Sequence, residues 1–143
     1  MAVKQISVFI ENKAGSLAKL TEVLSANNIN MSALSVAESE DFGIIRLIVD
    51  NVYDTVTVLK DEGYVSSVKD VLAVALTDEP GSLSKVLAVL GENNINIDYM
   101  YAFTANKPGT ANMIVRVEDN KKAGDVLKAN GISEIGEEDL TKM

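Results

Sequence analysis

Two short loops hold the residue types in this sequence that could grip a small zwitterion: Asn12-Lys13-Ala14-Gly15-Ser16-Leu17 and Asp78-Glu79-Pro80-Gly81-Ser82-Leu83. Each follows an apolar run and precedes residues at helical spacing, so its glycine stands where a strand turns into a helix. Backbone N–H groups at a helix start offer partial positive charge to a carboxylate, and glycine has no Cβ to hold a ligand off the backbone. The side-chain oxygens of Asn12 and Asp78 are acceptors for an ammonium. A purely structural use competes with this one, in which the loops are turns and Ser16 and Ser82 cap the helices. Further on, Tyr99, Tyr101 and Phe103 alternate on one face of a strand, with Asp98 and Met100 expected on the other. The aromatics suit either a wall that selects a ligand side chain or a sheet face packed on a partner. A side chain placed at Gly81 is expected to obstruct a ligand while leaving most of the stability intact.

Composition removes much other chemistry. The 143 residues include no Cys and no His, which excludes thiol nucleophiles, disulfides, the usual zinc ligand sets and imidazole acid–base catalysis. Thirteen Lys and Arg against 21 Asp and Glu leave a net charge of −8, which repels a phosphate backbone, so no nucleic acid is expected. Asp50, Asp54 and Asp119 sit beside turns and are expected to cap helices rather than hold a metal, and the acidic segment from Glu134 to Asp139 reads as solvated surface. No cofactor and no catalytic residue is expected. The longest apolar stretches, such as Val71 to Leu76, are too short to span a bilayer, and nothing near Met1 resembles a signal peptide. The expectation is a soluble, cytoplasmic chain without a membrane partner.

The positioning elements come in two copies. Gly15-Ser16-Leu17 recurs as Gly81-Ser82-Leu83 and Asn27-Asn28-Ile29-Asn30 as Asn93-Asn94-Ile95-Asn96, both at an offset of 66. With Lys19, Val23 and Leu24 also repeated, ten of sixteen positions are identical. Asp50-Asn51 matches Asp119-Asn120 at offset 69, and Val58-Leu59-Lys60 matches Val126-Leu127-Lys128 at offset 68. The second copy therefore reads as having gained three residues in one loop and lost one in another, with domains at 1–68 and 69–143.

Within the first copy, alternation over Ile6 to Ile10 predicts a strand, and Leu17, Leu20, Val23 and Leu24 predict a helix over 16–26. Asn27-Asn28 supplies its exit. A strand over 29–37, a hairpin turn, a strand over 43–49, a helix over 52–62 ended by Gly63 and a strand over 64–68 complete the set. The second copy repeats them, with strands near 72–76, 95–103, 111–117 and 132–135 and helices near 82–92 and 121–129. The fold class is α+β: two tandem ferredoxin-like βαββαβ domains with antiparallel sheets. Each small domain leaves a sheet face and edges to cover, so the copies are expected to pack and the chain to form a homodimer.

That fold hosts many functions. A Cys-x-x-Cys metal loop is absent, and the only arginines, Arg46 and Arg116, lie in third strands rather than in a phosphate-cradling loop. The two glycine loops, each followed by a helix and Asn-Asn-Ile-Asn, resemble the signature of ACT domains, amino-acid-sensing modules of metabolic regulation. The resemblance covers the whole chain and implies a free amino acid as effector, held between paired domains by the strand-to-helix loop of one and the second strand of its neighbour. The implied ligand-binding residues are Asn12, Ala14, Gly15, Ser16, Leu17, Asn30 and Met31 in the first copy. In the second they are Asp78, Pro80, Gly81, Ser82, Leu83, Asn96, Ile97, Asp98 and Met100. The implied role is a non-catalytic allosteric sensor; the alternative is a regulatory subunit that docks onto a larger amino-acid biosynthetic enzyme.

Overall fold

The computed structural model describes residues 3–103, 107–137 and 139. Strand β1 (Val3–Glu11) leads through the first loop into α1 (Ser16–Ala26), followed by β2 (Met31–Glu38), β3 (Phe42–Val49) and α2 (Val52–Asp61). Strand β4 (Val65–Thr77) precedes α3 (Ser82–Glu92), β5 (Ile97–Phe103), β6 (Thr110–Val117), α4 (Asn120–Ala129) and the two-residue β7 (Ser133–Glu134). The described chain divides into two compact units, Lys4–Lys69 and the residues from Asp70 onward with Val3. The strands predicted over 64–68 and 72–76 are one strand, β4, and the division falls inside it.

Each unit is an antiparallel sheet with a hydrophobic core under its helices. In the first, β3 lies between β1 and β2, and Ile6, Val8, Leu20, Leu24, Leu47, Val49 and Leu59 form the core. In the second the order is β7-β4-β6-β5, and Leu72, Val74, Val86, Leu90, Val115, Val117 and Leu127 take the matching places. Alternation along the strands and the i, i+3/i+4 spacing of the helices bring these side chains to one face.

Helices α1 to α4 end alike, and the ending explains where the following strands begin. Asn28 and Asn94 adopt left-handed φ values of 56° and 57°. Ile29 and Ile95 then donate their N–H groups back to the carbonyls of Leu24 and Leu90, at 3.0 and 2.9 Å, which is the Schellman arrangement. Those two isoleucines are therefore spent on closing the helix, and β2 and β5 start two residues later than the sequence predicts. Gly63 and Gly131 end α2 and α4 in the same way, with Tyr64 and Ile132 donating to Leu59 and Leu127.

The second-copy offsets also need correction. Asn51 caps α2 by accepting the Asp54 N–H, and Asp119 caps α4 by accepting the Lys122 N–H, both at 3.0 Å. Asn51 thus corresponds to Asp119 at offset 68, and the Asp50-Asn51 match at 69 is a coincidence of residue type. Strand pairing agrees, since Ile6 faces Leu47 as Leu72 faces Val115. The net insertion is two residues, within the β5–β6 connection. Asp50 does not cap a helix; its carboxylate accepts the Asn30 N–H at 3.2 Å.

Candidate functional site

The loop between β1 and α1 is a type II turn. Ser16 donates its N–H to the Lys13 carbonyl at 3.2 Å, and Gly15, third of the four residues, has φ 88° and ψ −13°. That conformation is closed to most residues with a Cβ and is the reason for glycine at this position. The β4–α3 loop is built identically, with Ser82 donating to Glu79 at 3.3 Å and Gly81 at φ 91°, ψ −13°. Ala14 and Pro80 occupy the second position, where proline's fixed φ is favoured.

Neither loop caps its helix with a side chain. Gly15 and Gly81 are the N-cap residues, and no side-chain cap hydrogen bond is made there. Ser16 and Ser82 are the first helical residues, so the expectation that they act as caps is wrong. The contrast with α2 and α4, capped by Asn51 and Asp119, leaves α1 and α3 as the helix starts able to offer N–H groups to an anion. Hairpins hold both loops in place. The Asn12 N–H donates to the Asp41 carbonyl at 2.9 Å and its Nδ2 to the Ser39 carbonyl at 3.1 Å, which leaves the amide oxygen as acceptor. The Asp78 N–H donates to the Gly109 carbonyl at 2.9 Å.

The remaining candidates divide among separate surfaces. Ala14, Gly15 and Ser16 line a depression of about 510 Å³ together with Lys13, Lys19, Phe9, Tyr64 and Val65. Lys13 pairs with Glu11 at 3.1 Å with both side chains about two-thirds exposed, a weak surface pair. Burial holds the Tyr64 hydroxyl above its ordinary pKa of 10, and the nearby Glu62 carboxylate pushes the same way. Asn30 and Met31 line a smaller hollow of about 200 Å³ at the far end of α1. Eleven helical residues separate that end from the loop, roughly 16 Å at the helical rise, so a single domain cannot bring its own loop and the Asn30–Met31 start of its second strand onto one small ligand. Asn96 and Asp98 line a third depression of about 630 Å³ with Glu118, Asp119 and Lys122. Asp78 to Leu83 line none of these three.

Bulges decide where the second strands aim their side chains. Ile97 pairs with Val117 and Tyr99 with Arg116, so Asp98 is an extra, exposed residue; Ser32, half-buried, is the extra residue between Met31 and Ala33. A bulge shifts the alternation by one. Ile97 and Met100 consequently both pack against the second core; Met31 from β2 and Leu17 from α1 pack against the first. Asp98 and Met100 do not share a face as a regular strand would have them do. Tyr99, Tyr101 and Phe103 are half-buried on the face away from the core. Phe9, Tyr64 and Val65 beside the first loop, and Glu118 and Asp119 beside Asn96, were not singled out for a site in the sequence; the turn glycine Gly63 was the available signal for Tyr64. The segment taken as solvated surface is partly buried: Ile135 is 7% exposed and Glu134 pairs in β7. Glu138 within that segment lies outside the described residues.

Among the described residues no cluster of three or more metal-ligating side chains is present, and no helix is long and apolar enough to cross a membrane. The family described as an ACT domain pair matches residues 1–143. No curated protein matches in sequence. Among solved structures, protein BT0572 from Bacteroides thetaiotaomicron is 40% identical over 100% of this chain and 98% of its own, with a TM-score of 0.92. The regulatory subunit of aspartate kinase from Thermus thermophilus, in its ligand-free form, shares the fold at 16% identity, with a TM-score of 0.67 over 88% of this chain and 91% of its own. The corresponding subunit from Thermus flavus is 15% identical, with a TM-score of 0.63 over 88% of each chain.

Proposed function

The chain belongs to the ACT domain pair family, and on that premise we propose that it is a non-catalytic regulatory protein whose effector is a free amino acid. The observation that carries this reading is the pair of glycine turns, each feeding a helix start without a side-chain cap. The ligand carboxylate takes the N–H groups beside Gly15 or Gly81, and the oxygen of Asn12 or Asp78 takes its ammonium. α1 and α3 hold each loop a helix length from the start of the second strand in the same domain, so the other half of the grip is proposed to come from another domain, one of a second copy, with a homodimer as the working species. The effector acts by favouring one arrangement of the dimer, to the extent of its differential affinity for it.

A thermal-shift screen of the twenty amino acids with light scattering tests this. An effector at 100 times its dissociation constant adds about 2.7 kcal/mol to stability, and scattering is expected to show twice the 15.3 kDa chain mass. A chain that stays monomeric and shifts with no amino acid refutes the reading. Docking onto a larger biosynthetic enzyme is the second reading, supported by the large exposed side chains Phe42 and Tyr53, 60% and 80% accessible.

A further inference from the structure

The two copies differ in chemistry at one end of the sheet face turned away from their helices. In the first, Phe9 pairs with Ile44 and Glu11 with Phe42; in the second, the same register sets Ala75 against Asn112 and Thr77 against Thr110. Phe9 and Glu11 alternate with Val8 and Ile10, which pack into the first core, so they lie on the opposite face. Phe9 and Phe42 are diagonal neighbours across the ladder, close enough for their rings to form one surface, and they are 42% and 60% exposed. Ala37 and Ile44, half-buried and paired with each other, extend that surface. The second copy keeps the fold with small and polar residues at the corresponding β4 and β6 places, so the fold does not require two exposed phenylalanines here.

Carboxylates border the apolar surface. Glu11, Glu38, Glu40 and Asp41 are exposed on β1 and the β2–β3 hairpin, and Lys13 at the same corner is paired with Glu11 at 3.1 Å. The second copy has Thr77 in place of Glu11, and its chain between β5 and β6 carries Lys107 and no acid. The hairpin of the first copy is anchored at both ends. Ser39 donates its N–H and its hydroxyl to the Phe42 carbonyl, at 2.8 and 3.1 Å, and Asn12 of the first loop donates to the Asp41 and Ser39 carbonyls. A surface fixed in this way loses little ordering entropy when it binds.

We propose that this face of the first domain docks a segment of another protein in which Lys or Arg flank apolar side chains. Exposed aromatics gathered in one patch mark interaction sites, and the carboxylate rim selects a basic partner. A second copy of the chain does not suit the patch, because a two-fold contact sets it on itself and brings the four carboxylates against the same four. The net charge of −8 draws a basic segment towards the chain as a whole. The proposal rests on the docking reading above and places the contact on this face rather than on α2, where Tyr53 is exposed.

A displayed library of random peptides, selected on the full chain, tests this. Recovered peptides are expected to combine Lys or Arg with Leu, Ile or Phe. Phe9→Ala with Phe42→Thr gives the first copy the residue types found at Ala75 and Thr110, so the double variant is expected to fold. The strongest peptide, synthesised, is expected to bind it at least about tenfold more weakly than the parent. Glu40→Lys with Asp41→Lys, at exposed turn positions, weakens the same peptide by a similar factor, and Tyr53→Ala leaves it unchanged. In light scattering the Phe9→Ala, Phe42→Thr variant keeps the parent's mass. No enrichment, peptides without basic residues, or peptides that bind the double variants like the parent overturn the proposal. Binding lost in Tyr53→Ala alone overturns the placement and leaves the docking reading standing on α2. A folded Phe9→Ala, Phe42→Thr variant of half the parent's mass makes the face a contact between copies, which also overturns it. The selection contains no free amino acid, so the effector screen succeeds or fails separately.

Discussion

Replacing Gly81 by alanine separates the strain of a backbone conformation from the crowding of a side chain. Gly81 sits at φ 91°, and a Cβ on it would meet nothing within 4 Å. No clash contributes, and the cost is that of holding an L-residue in the left-handed region, about 1–2 kcal/mol. In a unit of this size each kcal/mol lowers Tm by roughly 4–8 °C, so Gly81→Ala is expected to melt roughly 4–16 °C below the parent. Asparagine tolerates the left-handed region and holds it at Asn28 and Asn94, so Gly81→Asn recovers a large part of that loss. Valine, branched at Cβ, loses more than alanine. A side chain here is therefore expected to spare most of the stability as Asn and to cost more of it as Val. Thermal and urea unfolding followed by circular dichroism measure the series. The reasoning is refuted if alanine costs nothing or if asparagine costs as much as alanine. A second readout comes from calorimetry: the open space beside Gly81 is where the ligand carboxylate is proposed to sit, so the folded Asn variant loses amino-acid binding at this loop.

Two further outcomes follow from the loops and their surroundings. Ala14→Pro places proline at the second position of a type II turn, where its φ is already correct, and is expected to raise stability by about 0.4–1 kcal/mol in urea unfolding; a loss would show that the turn is of another type. Tyr64, with its pKa raised by burial and by Glu62, keeps its proton in the folded state at a pH where the unfolded chain has lost it. Its contribution is fully present below pH 10 and is lost as pH rises through the folded value. Tyr64→Phe is expected to flatten that alkaline decline in unfolding experiments, and an unchanged decline would refute the assignment.

By itself the sequence determined the elements and their duplication, because the signals that specify them are local. Leu17, Leu20 and Leu24 lie on one helical face whatever the rest of the chain does, and Asn28 and Gly63 stop helices through their own backbone preferences. The two glycine loops were legible for the same reason, since a type II turn is four consecutive residues. What lay beyond the sequence depended on partners distant along the chain. Residue type matched Asp50-Asn51 with Asp119-Asn120, whereas helix capping and strand register showed that Asn51 and Asp119 do the same work. The bulge at Asp98 exists only against β6, and it alone decides that Met100 faces the core. Tyr64, from the other end of its domain's chain, reaches the first loop. Local periodicity records which face of an element is apolar. Only the pairing of strands, where a shift of one residue reverses every side chain, decides what that face meets.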